Sequence, residues 1–259
     1  MLRLSNLSKY FGGVRAVDAL ELNVKTGEIF GLIGPNGSGK STTVNLVCGI
    51  FGPTSGSIEL DGVDLKRQAP HQRIDAGVSR TFQNIRLFDD LTVWQNLWVA
   101  WRDAPGQEHS WFSNWFGRSL SRRHEIQKLL EFSGLGDKSN NLAGNLAFGE
   151  QRRLELARAM ASKPKLILLD EPAAGMSSAE VTDLRQRILT MKEMGITVLL
   201  IEHVMELVMN VSDRIGVLNF GTLIAEGLPE EIQHNPLVQK AYFGSSENTS
   251  GGDTNAIDQ

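Results

Sequence analysis

Apolar positions along this chain come in short runs of two different periods. Over Met1 to Gly31 they alternate with polar positions, and Phe11-Gly12-Gly13 and Asn23 to Gly27 interrupt them as turn signals. That is the pattern of strands burying one face. The run Ile29-Phe30-Gly31-Leu32-Ile33 is continuous and leads into a glycine loop. A helix is predicted from Ser41 to near Gly49, and Gly52-Pro53-Thr54-Ser55-Gly56 then opens a hairpin over Ser57 to Val63. Between residues 84 and 162 the period lengthens to that of helices, with Trp94, Trp98 and Trp101 on one face and Ile126, Leu129 and Leu130 on another. Inside this insertion, Asp103 to Arg123 holds Pro105, Gly106, Trp111, Trp115 and several serines and reads as a loop, with Arg118, Arg122 and Arg123 as a solvated face.

After Pro164 strands and helices alternate. A strand is predicted over Leu166 to Asp170, a helix over Ser178 to Glu193, a strand over Thr197 to Ile201, a helix near Met205 to Val211 and a strand over Ile215 to Leu218. Alternation of this kind builds an α/β fold around a parallel sheet. The tail from Ser245 to Gln259 has almost no apolar residue to offset its ordering entropy and is expected to be disordered.

Chemistry enters where the apolar strands end. Gly34-Pro35-Asn36-Gly37-Ser38-Gly39-Lys40-Ser41 matches the phosphate-binding loop pattern, in the strand-to-helix context that the pattern requires. Glycines there let backbone N–H groups face a polyphosphate, Lys40 supplies a point charge, the Ser41 hydroxyl suits Mg²⁺, and the helix N-terminus adds its positive dipole end. Such loops serve kinases, GTPases, helicases and motors alike, so this one sets the ligand class and leaves the function to other residues. Leu166 to Leu169 is an apolar strand ending in Asp170-Glu171, at the sheet edge where parallel sheets hold ligands. Asp170 suits Mg²⁺, and Glu171 is placed to act as general base toward water. His203, just beyond the strand Thr197 to Ile201, would steady that base.

Together with Leu146-Ala147-Phe148-Gly149-Glu150-Gln151-Arg152-Arg153, these motifs resemble, in order and over nearly the whole chain, the nucleotide-binding subunits of ABC transporters. The resemblance implies a P-loop NTPase core, RecA-like, with an N-terminal antiparallel β subdomain and a helical ABC insertion. It implies one ATPase domain over 1–244, its core 1–83 and 163–244 and its helical part about 84–162, followed by the tail 245–259. It implies ATP and Mg²⁺ as ligands, held by residues Gly34 to Thr42, and hydrolysis of ATP involving Lys40, Glu171 and His203. The signature stretch Ala147, Phe148, Gly149 and Glu150 would cap ATP held by a second ATP-binding subunit, the same or a paralogous chain. Phe11 is similar to the aromatic that stacks on adenine, with Tyr10 as a rival, and Gln83 to the residue that links Mg²⁺, alongside Ser41 and Asp170, to the insertion.

Finer matches at Arg80-Thr81-Phe82-Gln83-Asn84-Ile85-Arg86-Leu87-Phe88, Glu171-Pro172-Ala173-Ala174-Gly175, Ile201-Glu202-His203 and the closing Asn235-Pro236, Ala241-Tyr242 and Phe243-Gly244 resemble the ATPase of branched-chain amino acid importers. Against the wider family pattern, Ala147 replaces a serine and Phe148 a glycine. Glu150 is a carboxylate near a triphosphate but also in a first helical turn, so the sign of its effect is open. At Ser177 the usual Asp is missing, and the residue reads either as part of the link between two sites or as a helix N-cap.

The rest of the chain limits the alternatives. Acidic residues number 30 against 26 basic, a net charge of −4, which argues against a nucleic-acid binder and makes phosphate recognition local. A single cysteine, Cys48, points to a reducing compartment. Met1 to Tyr10 alternates and lacks the apolar stretch of a secretory leader. The apolar runs are far shorter than the roughly 20 residues that span a bilayer, so this chain is not expected to cross a membrane by itself; the resemblance implies separate membrane-spanning permease subunits and, indirectly, a substrate-binding protein. The expected place is the cytoplasmic face of the cell membrane, peripheral. Two alternatives stay open: the motor of another ABC route such as lipid or lipopolysaccharide export, and a soluble ABC ATPase of DNA repair or translation. Against the second stand the single cassette, the absence of long heptads and the acidic charge. Trp111 and Trp115 are candidates to touch a membrane partner or lipid headgroups.

Overall fold

A computed structural model describes the backbone of residues 1–102 and 115–243 and the side chains of 1–102 and 121–242. Its strands are β1 (Leu2–Phe11), β2 (Val14–Val24), β3 (Ile29–Ile33), β4 (Ser55–Leu60), β5 (Val63–Asp64), β6 (Val78–Arg80), β7 (Leu166–Asp170), β8 (Thr197–Ile201), β9 (Arg214–Asn219) and β10 (Thr222–Gly227). The helices are α1 (Lys40–Val47), α2 (Pro70–Asp75), α3 (Val93–Ala100), α4 (Trp115–Ser133), α5 (Phe148–Met160), α6 (Ser178–Glu193), α7 (Met205–Val211), α8 (Pro229–Gln233) and α9 (Pro236–Phe243). The alternating strands pair as an antiparallel sheet in the order β2-β1-β4-β5. The continuous apolar strands form the centre of a second sheet, β10-β9-β3-β8-β7-β6, which is parallel from β9 to β6.

Strands β3, β7 and β8 are buried at every position, as expected of a parallel sheet covered on both sides. Successive residues still go to opposite faces. Ile29, Ile33, Ile167, Leu169, Val198 and Leu200 join one core with Leu154, Leu156, Leu184, Ile188, Leu207 and Val208 of the helices. Phe30, Leu32, Leu166, Leu168, Leu199 and Ile201 join the other, with Val44 and Val47 of α1 and with Leu2, Leu4, Leu20 and Ile58 of the antiparallel sheet. Because β3, β8 and β7 are neighbours in that order, the loops leaving their carboxyl ends emerge side by side. This register makes one site out of segments more than a hundred residues apart.

Helices α3, α4 and α5 pack on one another. Here the structure corrects three expectations. Trp115 to Arg123 is the start of α4, not loop. Arg122 is not on a solvated face: its guanidinium lies 3.6 Å from the centre of the Trp98 ring, 4.9 Å from that of Trp101, and donates to the Trp98 carbonyl at 2.5 Å. Burying those contacts against α3 gives this stretch a reason to be helical despite its polarity. Trp101 caps α3 in an extended conformation, so the aromatic stripe reduces to Trp94 stacked on Trp98, with ring centres 4.7 Å apart. Trp111 and the tail 245–259 lie outside the described residues, as does the Arg118 side chain.

Candidate functional site

The glycine loop leaves β3 and closes on the first turn of α1. Gly39 is the N-cap, with φ 108°, and a Cβ on it would lie 2.4 Å from the Ala16 carbonyl oxygen, so no side chain fits. The Ser38 N–H donates to the Pro35 carbonyl (3.1 Å) and Thr43 to that of Gly39. Asn36, Gly37 and Ser41 face solvent, with Thr42 half-buried. Lys40 is 7% exposed, and its Nζ is folded back onto the carbonyls of Gly34 (2.8 Å) and Pro35 (3.0 Å). Burial lowers the Lys40 pKa, and the charges of Glu171 and Asp170 pull it back up. The ammonium is therefore held at the mouth of the loop, facing the two carboxylates.

Asp170 ends β7 with 6% exposure, and its Oδ2 takes a hydrogen bond from Arg80 Nη2 at 2.6 Å. The next residue, Glu171, has φ 47°, a left-handed conformation that costs a non-glycine residue about 1 kcal/mol or more. Its N–H donates to the Ile201 carbonyl (2.9 Å), which fixes the turn to the end of β8. The bend aims its carboxylate at two partners. Gln83 Nε2 donates to Glu171 Oε2 at 2.8 Å, and His203 Nδ1 lies 3.9 Å from the same oxygen. Lys40, Gln83, Asp170, Glu171 and His203, all predicted from sequence, thus come together at the carboxyl ends of β3, β6, β7 and β8. The donors on offer for a metal are hydroxyl, carboxylate and amide oxygens. Among the described residues no group of three or more His, Cys, Asp and Glu would hold a metal by itself. The all-oxygen donor set suits Mg²⁺, which takes few protein oxygens and arrives with phosphate.

The signature residues do not join this cleft. Ala147 is the N-cap of α5, and Phe148, Gly149 and Glu150 form its first turn. With Met176, Glu180 and Asp183, residues Ala147, Gly149 and Glu150 line a separate depression of about 420 Å³. Glu150 turns back on its own helix, accepting from the Ala147 N–H (3.2 Å) and pairing with Lys138 (2.6 Å). The Lys138 bond foremost holds its carboxyl below the usual range. Within its own helix Glu150 stabilises the first turn of α5. Ser177 is an N-cap, its hydroxyl accepting from the Glu180 N–H while Glu180 reaches back to the Ser177 N–H. Phe11 ends β1 as an exposed ring, edge-on to Phe51 with centres 5.3 Å apart. Tyr10 commits its hydroxyl to Asp18 at 2.8 Å.

Three groups around the site went unread in the sequence. Glu202, fully buried, accepts from the N–H groups of Ala173 (2.7 Å), His203 (2.9 Å) and Val204 (3.2 Å), fixing the loops that carry Glu171 and His203. Arg152 donates to the carbonyls of Phe82 and Gln83, both at 3.0 Å, and to Glu155 at 2.7 Å, so α5 grips the segment bearing Gln83. Arg80 bridges Asp170 and Asn45 Oδ1, the latter at 2.7 Å. The available signal was a charge directly beside each recognised motif.

Comparison with known proteins places this geometry. The model of the ABC transporter family matches residues 17–174, and that of the branched-chain amino acid ATP-binding cassette transporter matches residues 222–248. The high-affinity branched-chain amino acid transport ATP-binding protein BraF of Pseudomonas aeruginosa is 42% identical over 253 residues, covering 95% of this chain and 98% of the relative. LivG of Escherichia coli, with the same description, matches equally well, at 42% identity and the same coverage. Among solved structures, a nucleotide-free ATP-binding cassette from an ABC transporter superposes with a TM-score of 0.81 at 32% identity, over 95% of this chain and 99% of that one. A dimeric bacterial ABC transporter cassette gives 0.73 at 26% identity, over 88% and 99%. With its glycine loop, strand-end carboxylates and signature helix in this arrangement, the chain belongs to the ABC transporter family.

Proposed function

We propose that this chain is the ATP-binding and ATP-hydrolysing subunit of an importer of branched-chain or related amino acids. It would be a single ATPase unit over 1–244, seated peripherally on the cytoplasmic face of the cell membrane. The observation that carries the enzymatic reading is the convergence of Lys40, Asp170, Glu171, Gln83 and His203 at the ends of adjacent strands. The substrate class rests on the relatives at 42% identity.

On ATP binding, Lys40 exchanges two carbonyl bonds for phosphate oxygens, and the amides of residues 36–42 with the α1 N-terminus take the remaining phosphate charge. Phe11 offers its exposed ring to adenine. Ser41, Asp170 and Gln83 would hold Mg²⁺, which when bound neutralises phosphate charge. Glu171 accepts a proton from a water whose oxygen attacks the γ phosphorus, and the bond to the β-phosphate oxygen breaks to release ADP and phosphate. His203 and Gln83 keep that carboxylate aimed.

The glycine loop and the signature helix lie on separate surfaces, so a complete site calls for a second ATP-binding subunit whose Ala147 to Glu150 faces this chain's loop. No helix among the described residues is long and apolar enough to cross a membrane, so transport calls for permease subunits, with a substrate-binding protein acting through them. A groove of about 570 Å³ is lined by Ile50, Ile74, Phe88 and Val99, all exposed, with Arg102 and Arg158 among its polar residues. Its mixed apolar and basic lining suits a permease loop.

Two substitutions test the catalytic reading. Glu171→Gln should keep ATP binding and lose about 10²- to 10⁴-fold in turnover. Lys40→Ala should weaken ATP binding itself by about 1.5 to 3 kcal/mol, or roughly 10- to 150-fold. Labelled-ATP titration and steady-state hydrolysis separate the two. Near-normal turnover in the first, or parent-like affinity in the second, would remove the assigned role.

A further inference from the structure

Arg80 has no part in the reaction as described, yet it is built firmly into the site. Its side chain is 12% exposed. One terminal nitrogen donates to Asp170 Oδ2 (2.6 Å) and the other to Asn45 Oδ1 (2.7 Å). Asn45 belongs to α1, the helix that the glycine loop opens, and Asp170 ends β7, so one guanidinium ties the phosphate-binding helix to the strand-end carboxylate. Its position on β6, paired with Leu168 two residues before Asp170, fixes where the fork can reach. The Phe82 ring centre lies 5.0 Å from the guanidinium carbon and restrains it further.

A planar guanidinium held at both ends by hydrogen bonds sets the rotation of the carboxylate it grips. With Oδ2 fixed by Arg80, the Asp170 carboxylate has one oxygen left to offer. We propose that Arg80 is a positioning residue for the metal: it holds Asp170 by one oxygen and anchors on Asn45, so that the other oxygen is preset for Mg²⁺ when nucleotide arrives. The proposal rests on the reading of Asp170 as a Mg²⁺ residue. Hydrogen-bond partners of metal-binding carboxylates commonly govern affinity by about 10- to 100-fold.

Simple removal of Arg80 would confuse two effects, because deleting a positive charge near Asp170 also strengthens the pull on any cation. Arg80→Lys and Asn45→Ala avoid this, since both keep the charge. The first replaces the fork by a rotatable point charge, and the second removes the fork's other anchor. Each variant is titrated with Mg²⁺ at fixed labelled ATP, following nucleotide binding, and its ATP affinity is measured separately in EDTA. Asp170→Asn is titrated in parallel.

Arg80→Lys should weaken the apparent Mg²⁺ affinity about tenfold or more, Asn45→Ala should do so less and in the same direction, and both should bind ATP in EDTA like the parent. Parent-like or tighter Mg²⁺ dependence in Arg80→Lys overturns the proposal, as does an equal loss of affinity in EDTA, which would make Arg80 a prop of the glycine loop. If Arg80→Lys does not fold, the sign of the Asn45→Ala shift decides. An unshifted Asp170→Asn overturns the metal reading and the proposal with it, whereas a shifted Asp170→Asn beside unshifted Arg80→Lys overturns the proposal alone.

Discussion

Loss of the Arg152 guanidinium should destabilise this fold strongly. Its side chain is 1% exposed and that of its partner Glu155 is 5% exposed. Arg152→Met keeps most of the stem and removes the guanidinium. Glu155 would then keep hydrogen bonds from the Phe82 N–H at 3.3 Å and the Arg86 N–H, and the field of Arg158, but lose its ion-pair partner, and the Phe82 and Gln83 carbonyls would lose their donor. Removing one member of a buried pair costs about 3–5 kcal/mol, a large part of the roughly 5–15 kcal/mol that holds a domain folded.

The same substitution has a pH signature of known sign. Burial, the largest cause, raises the Glu155 pKa above its ordinary 4.5 even with Arg152 pulling the other way, and removing Arg152 raises it further. A carboxyl whose folded pKa exceeds its unfolded value keeps its proton longer in the folded state. Stability is therefore greater below 4.5 and falls as pH rises through the folded pKa. The Arg152→Met penalty should be smaller at pH 5 than at pH 8. Arg152→Met/Glu155→Leu should recover part of it at pH 8, the remainder reflecting the Phe82 and Gln83 backbone groups left without partners. Urea unfolding of the three proteins at both pH values measures all of this. A penalty below about 1 kcal/mol, or one larger at pH 5, would refute the account of α5 as a buried ionic clamp on the Gln83 segment.

Other outcomes follow from the signature helix and from Cys48. A Cβ on Gly149 would lie 2.4 Å from Glu180 Oε1, so Gly149→Asp sets a second carboxylate against the first and should abolish ATP-driven dimerisation in a Glu171→Gln background while monomer ATP binding survives. Ala147→Ser should change either by far less, and normal dimerisation of Gly149→Asp by size-exclusion chromatography would refute capping by the Gly149 backbone. The Cys48 thiol, pushed by burial from its ordinary 9.0 up to about 11, should react about a hundredfold more slowly with a thiol reagent at pH 8 in the folded protein than in urea. Equal rates would mean that the thiol is open to solvent.

The contrast between what the chain revealed and what it hid follows from how each feature is encoded. The glycine loop, Asp170-Glu171 and His203 are legible because each lies within two residues of the end of an unbroken apolar run. Such a run becomes an interior strand whose carboxyl end is a ligand edge. The helix Ser178 to Glu193 was legible because Ser177 and Glu180 make a local cap. Arg80 and Arg152 carry no such local sign, and Glu202, which does follow such a run, turns inward onto the N–H groups of Ala173 and His203. Arg80 meets Asp170 across 90 residues and Arg152 meets the Gln83 carbonyl across 69, distances over which periodicity says nothing. On a helix, charged residues such as Arg152 and Glu155 read as the wet face. They are interior because the Gln83 segment leaving β6 offers unpaired backbone groups that only they satisfy. The start of α4 is hidden for a related reason, since Arg122 is polar by composition and half-buried by its stack on Trp98. A buried charge is thus dictated by what the rest of the fold leaves unpaired. In this chain those charges stand where a strand end, the glycine-loop helix and the signature helix must hold one another in register.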